Sequence, residues 1–375
     1  MNTVQSASWF NPAGHIADLL LLLKEPARFQ ELSLERWDIV VRTARRLRLL
    51  ATVAARLQDC GHLEALPGPI RAHMASALTT MAFRRQKVLL EMDCVRQALA
   101  DFHQPVILLK GAAYIEQGLA LAGQRLVGDL DLLVARAHLD EVEGKLLEMG
   151  WESLKPDLYD QNYYRAWSHE LPPMQLPGHR LELDVHHNIL PPTGRLHPDA
   201  ERLIKDAFKP PGSPFYVLHP ADQVLHAAVH LFQDSDCVLR ARDLVDIDAL
   251  IRAFAVDPGF WDEILAHARV HGLARPLWYA LDGASEIMGT PVPTMTLQSL
   301  QSEVPASFIR CTMRLLLPKA LFTEHPEQRP SIDEQIARSL LFLRSFWLRM
   351  PFTLLLRHSI AKLVRNLRKE PSAAE

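Results

Sequence analysis

The sequence predicts an α/β (α+β) core held between two helical regions. Three observations carry that expectation. Apolar residues recur at helical spacing up to about residue 100. Short aliphatic runs, too brief for helices, follow between Pro105 and residue 218. The helical period then returns from Pro220. The implied regions are 1–100 (N-terminal helical), 101–218 (α/β core) and 219–375 (C-terminal helical).

In the first region Leu19, Leu22 and Leu23, and later Val88, Leu89, Met92, Val95 and Leu99, mark apolar helix faces, while Gly61 and Pro67-Gly68-Pro69 divide the block. Val106-Ile107-Leu108-Leu109 reads as a buried strand, and Lys110-Gly111-Ala112-Ala113 opens a helix expected to run to about Leu121. Leu130–Val134 is the next strand and His138–Met149 the next helix, ended by Gly150. Residues 151–179, rich in Tyr, Trp and Pro, read as loops with a hairpin. Arg180–His186 alternates polar and apolar residues as a half-buried strand does. Helices are expected over Ala221–Phe232, Ala241–Phe254, Trp261–His271, Ala274–Met288 and Ile332–Arg368.

The chain of 375 residues is 48% hydrophobic and 23% charged, the balance of a globular protein with a large core. A formal net charge of −3 gives no global electrostatic case for nucleic-acid binding. Cys60, Cys94, Cys237 and Cys311 are scattered without metal-site spacing, which points to a reducing compartment. Met1–Pro12 lacks the pattern of a secretion signal, and Leu19–Leu23 is too short to span a bilayer, so a cytoplasmic location is expected.

Chemistry concentrates at Gly128-Asp129-Leu130-Asp131-Leu132-Leu133-Val134. Residues i and i+2 of a strand share a face, so Asp129 and Asp131 present parallel carboxylates suited to Mg²⁺ or Mn²⁺. Carboxylates also sit solvated at strand ends, so partners matter. Asp184, or Glu182 on the same face, is a candidate third carboxylate. The glycine turn at Lys110-Gly111 lets backbone approach a ligand, and a helix start there favours phosphate. Arg125 is a candidate phosphate partner.

The run Leu108-Leu109-Lys110-Gly111, Tyr114, Arg125 and Gly128 to Val134 resembles the family of uncharacterised nucleotidyltransferases, within the superfamily of the DNA polymerase β type. Leu183-Asp184-Val185-His186 fits that family's later strand element, and His226, His230 and Arg240-Ala241-Arg242-Asp243-Leu244 fit its downstream helical elements. The resemblance covers roughly residues 20–290. It implies a nucleotidyltransferase core with a small mixed sheet, in which Asp129, Asp131 and Asp184 are catalytic and hold Mg²⁺ or Mn²⁺. It places Lys110, Gly111, Ala112 and Arg125 at the nucleotide phosphates. The implied reaction moves a nucleoside monophosphate from a nucleoside triphosphate to an acceptor that the sequence does not name. A small molecule, glycan precursor or protein side chain is favoured over a polynucleotide. Ala112 stands where the superfamily usually has Ser or a second Gly. A non-catalytic nucleotide-binding or scaffold protein that retains the fold is therefore the alternative.

His186, His226, His230, Arg242 and Asp243 are candidates for substrate contact. His226 and His230 share one helix face, but no glutamate intervenes, so the zinc-protease pattern is absent. Near the end, Arg357, Lys362, Arg365, Arg368 and Lys369 make a basic amphipathic helix suited to peripheral membrane contact or to packing with a solvated basic face.

Overall fold

The computed structural model describes residues 9–12, 14–233, 235–322, 325–349 and 351. Four helices open the chain: α1 (Gly14–Lys24), α2 (Leu34–Arg46), α3 (Leu50–Asp59) and the long α4 (Gly68–Ala98). Two of the starts have a clear local cause. The Ser33 hydroxyl accepts from the Arg36 N–H to cap α2. Pro67 and Pro69 set up α4, where a missing N–H does no harm.

The aliphatic run after Pro105 forms β1 (Ile107–Leu108), and α5 (Lys110–Glu116) follows at once. That helix stops short of Leu121, because Gly118 turns to φ +65° and a 3₁₀ turn over Ala120–Gly123 takes over. Next come β2 (Asp129–Leu133) and α6 (Leu139–Glu148). The stretch expected to be loops holds β3 (Glu152–Ser153), α7 (Leu158–Trp167) and β4 (Met174–Gln175). No residue of α7 is buried, so it has no apolar stripe for periodicity to reveal; Asp157 starts it by accepting from the Tyr159 N–H at 2.8 Å. Then come β5 (Glu182–His186), α8 (Ala200–Asp206) and β6 (Tyr216–Val217), an unexpected strand only two residues long.

Among the described residues seven helices follow: α9 (Pro220–Phe232), α10 (Ala241–Phe254), α11 (Phe260–Val270), α12 (Ala274–Gly283), α13 (Thr294–Ser299), α14 (Ser307–Leu321) and α15 (Ile332–Arg349). A π turn over Ala284–Met288 extends α12 until Gly289 ends it at φ +71°. The basic helix expected beyond Arg349, and any membrane contact through it, lies outside the described residues. Among the described residues no helix is long and apolar enough to cross a membrane.

The strands form one mixed sheet in the order β3-β4-β5-β2-β1-β6. At its centre β2 and β5 run parallel, while β1 is antiparallel to β2 and parallel to β6. Leu130, Leu132, Leu183 and Val185 point to one side and are sealed from solvent. Asp129, Asp131, Asp184 and His186 therefore share the other side. A continuous apolar core runs from Leu19 to Leu341 and joins the helical regions to the sheet.

One buried polar tie fastens α4 to the sheet layer. Glu91, 1% exposed, accepts from the Trp151 indole N–H at 3.1 Å and meets His179 Nδ1 at 2.6 Å. Replacing Glu91 by Ala strands a buried indole donor, so Glu91→Ala is expected to lower unfolding stability by about 2–4 kcal/mol. Denaturant titration checks this; a variant as stable as wild type would show the tie to be idle.

Candidate active site

The parallel pairing of β2 and β5 sets Asp131 opposite Asp184 and Asp129 opposite Glu182. Of the two candidate third carboxylates, Asp184 is the one that converges: one oxygen each of Asp129, Asp131 and Asp184 lies within 4.8 Å of the others. Glu182 at the strand start is exposed. Asp131 is 3% exposed, and its Oδ1 meets Lys110 Nζ at 3.4 Å and His186 Nε2 at 3.1 Å. Burial opposes its charge, but Lys110 and His186 overcome it and hold this carboxyl well below the usual range.

Asp184 behaves oppositely. Burial, and then the negative charge of Asp131, push it up to about 7. Its Oδ1 is buried and has no hydrogen-bond partner. An orphaned oxygen on one of three convergent carboxylates fits a hard divalent cation. A cation there would relieve the repulsion that raises Asp184.

Lys110 takes φ +45°, an unusual left-handed conformation for a side chain that is not glycine, and so turns its ammonium onto Asp131. Burial opposes the ammonium charge, while Asp131, Asp129 and Glu170 raise its affinity for the proton. Gly111 and Ala112 are buried. The space a Cβ at Gly111 would need is filled from within the chain: it would overlap Arg125 Nη1 and lie 2.9 Å from both Val127 methyls. The glycine is thus required by close approach of the Arg125 guanidinium. Arg125, singled out as a phosphate partner, is 8% exposed and its Nε donates to Asp246 at 2.7 Å.

The candidate substrate contacts divide into two groups. His186 backs the carboxylates, with Nδ1 3.5 Å from Glu170 and its ring 5.2 Å from that of His169. Burial, then Lys110, His230 and His186, keep His226 neutral far below its ordinary range, which places it near the same centre. His230 and Asp243 stand further along, Nδ1 to Oδ2 at 3.4 Å, with Arg240 and Arg242 at 3.3 and 3.7 Å from the same carboxylate. His226 and His230 take part in no convergent metal-ligand group among the described residues.

Sequence reasoning missed His169, Glu170, Tyr164 and Asp246. Ligand atoms of His169, Glu170 and His186 lie within 4.8 Å of one another. Tyr164 is pushed up to about 12 by burial and then by Glu170 and Asp184, so α7 reaches this face. Glu170 sits three residues after the end of a helix that periodicity could not show, and Asp246 reads as one more charge on α10. Neither carries a local signal.

A mixed sheet whose central parallel strands converge three carboxylates beside a lysine defines an α+β protein with an acidic centre at the sheet. The chain belongs to the family described as uncharacterised nucleotidyltransferase, whose family model matches residues 33–289. That span includes every site residue above and supports a general role in nucleotidyl transfer. No curated protein and no solved structure matches the chain.

Two outcomes follow from this geometry. Because Asp184 sits near 7 when folded and near an ordinary 3.8 when unfolded, the metal-free fold holds a proton that the unfolded chain has lost between those values. Stability of the metal-free protein therefore declines as pH rises through 7. Asp184→Asn should gain on wild type from pH 4 to pH 8 by up to about 4 kcal/mol, and Mn²⁺ should stabilise wild type but not the variant. Parallel pH–stability curves would contradict the assignment. Gly111→Ala must displace Arg125 from Asp246 and is expected to cost about 2–4 kcal/mol, measured by denaturant unfolding; an unchanged midpoint would show that the pair relaxes freely.

Proposed function

We propose that the protein is a divalent-metal-dependent nucleotidyltransferase that uses a nucleoside triphosphate as donor. The observation that supports it is the meeting of Asp129, Asp131 and Asp184 on adjacent parallel strands, with one oxygen of Asp184 buried and unpartnered. Mg²⁺ or Mn²⁺ held by those three residues would neutralise phosphate charge and orient the donor for in-line displacement.

The chain's own residues supply the rest. Lys110 and His186 fix Asp131 as an anion and set its orientation. Asp184, the carboxyl that protonates most readily, takes the proton of the acceptor hydroxyl. The acceptor oxygen then bonds to the α-phosphorus, the bond from that phosphorus to the bridging oxygen breaks, and pyrophosphate leaves. Arg125 and Asp246 hold the Gly111 turn against α10, so that backbone at Lys110, Gly111 and Ala112 lines the phosphate side. His226, neutral and buried, closes the site from α9 without adding charge.

The second reading is a nucleotide-binding or scaffold protein that keeps the fold without turnover. Ala112, buried in place of a phosphate-contacting Ser or Gly, favours it. Pyrophosphate release from each of the four nucleoside triphosphates, with Mg²⁺ or Mn²⁺ and a panel of hydroxyl-bearing acceptors, separates the two. Turnover is expected to fall by on the order of 10²–10³-fold in Asp131→Asn. Equal release by wild type and variant would sink the enzymatic reading.

A further inference from the structure

Beyond His230 lies a second concentration of charge. A cavity of about 490 Å³ is lined by Arg46 and Arg48 from the turn between α2 and α3, Arg240 and Arg242 from the start of α10, and Arg349 from the end of α15. Those positions are far apart in sequence, and only the fold unites them. Among the described residues the wall holds two carboxylates against five guanidiniums, of which Arg46 has a further interaction of its own. Asp236 accepts from the Val238 N–H at 3.0 Å, and Asp243 is already shared by His230, Arg240 and Arg242. Arg48 is exposed, and its guanidinium has no hydrogen-bond or ion-pair partner among the described residues. Burial, and the charges of Arg125 and Arg48, work against the proton on Arg242. An added anion would relieve all of these at once.

The backbone agrees. Among the described residues four that are not glycine have positive φ: Arg48 at 58°, Cys237 at 62° and Leu239 at 55°, and Lys110 in the acidic centre. Arg48 and Leu239 line this cavity, and Cys237 sits in the chain between Asp236 and Val238, which also line it. Such conformations are strained and gather at ligand sites. The fourteen-residue α10 also begins here, capped by no side chain, so the positive end of its dipole faces the cavity.

The cavity is not the seat of the donor phosphates. None of Asp129, Asp131, Asp184, Lys110 or Gly111 lines it. Its link to the acidic centre runs another way. Arg48 also lines a smaller, less polar cavity of about 190 Å³ with Leu50, Ala51, Ala77 and Leu126. Leu126, whose carbonyl accepts from Arg242 Nη1 at 3.3 Å, lies three residues before Asp129. A molecule anchored at the arginines and lying over Leu126 would extend toward the carboxylates.

We infer that the arginine cavity binds a phosphate group, and that this group belongs to the acceptor: a small phosphorylated molecule whose body lies in the cavity beside Leu126. The assignment to the acceptor rests on the nucleotidyl-transfer reading; the phosphate site does not. An excess of guanidinium over carboxylate matches a dianion, and several arginines offer it the paired N–H donors that a phosphate accepts.

The test is calorimetric titration of the full chain with inorganic phosphate and with glycerol 3-phosphate. Wild type, Asp131→Asn, Arg48→Gln and Arg48→Gln/Arg240→Gln are compared, each checked for an unchanged melting temperature. Arg48 is exposed and unpartnered, so the single variant keeps the fold even if the double variant does not. Wild type and Asp131→Asn should bind both probes equally, and Arg48→Gln should weaken both by about tenfold or more. The affinity of Arg48→Gln for ATP with Mn²⁺ should stay within about twofold of wild type. No saturable phosphate binding by wild type, or equal binding by Arg48→Gln, would overturn the site. A loss of nucleotide affinity in step with phosphate would overturn the acceptor assignment, because the cavity would then serve the donor. The titration needs no turnover, so it decides the phosphate site even if nucleotidyl transfer itself fails.

Discussion

The register of β2 against β5 leaves Asp131 and Asp184 facing each other on one side of a buried sheet, and much of the surrounding structure answers that repulsion. Neither strand can slip, because a shift of one residue would turn Leu130, Leu132, Leu183 and Val185 out of the core. The sheet thus forces two carboxylates together, and the neighbourhood resolves the conflict by treating them differently. Lys110 bends into a left-handed turn to reach Asp131, and His186 joins it from the same strand as Asp184. Asp184 receives no such help and is left favouring its proton. Asymmetry between two like groups is what acid–base chemistry at neutral pH requires.

A second tier of charge holds this arrangement in place. Arg125 fills the space over Gly111 and pairs with Asp246, which joins the turn after β1 to helix α10 more than a hundred residues later. On the same helix Arg242 reaches back to the Leu126 carbonyl. The loop that delivers Asp129 is therefore held by one helix at two adjacent residues, Arg125 and Leu126. The helical region is as much a part of the centre as the sheet is.

What could be read in advance had a local cause. The strand carrying Asp129 and Asp131 is legible because its apolar residues are buried on both faces, and β5 because it alternates. Helices α9 to α12 are legible because their apolar residues recur at helical spacing and are buried. The unread parts lack such causes. Helix α7 has no fully buried residue, β6 is two residues long, and Glu170 acquires its place through a bridge to His186. Gly111 looked like an approach for phosphate, whereas the room it leaves is filled by an arginine fourteen positions downstream. That is a tertiary fact, as is the gathering of Arg48, Arg240 and Arg349 around one cavity.

Helix α9 carries a consequence of its own. Asp222, His226 and His230 are spaced four apart along a helix whose other residues are almost all buried. Asp222 Oδ1 meets His267 Nδ1 at 2.9 Å and His271 Nε2 at 3.4 Å at one end; His230 meets Asp243 at the other. A helix packed all round and tied at both ends opens only when the whole domain does, so its amides belong among the slowest to exchange with solvent deuterium. The His226 imidazole thus rides on one of the least yielding elements of the molecule. Local breathing of the surrounding loops can admit and release ligands while leaving that ring where it is.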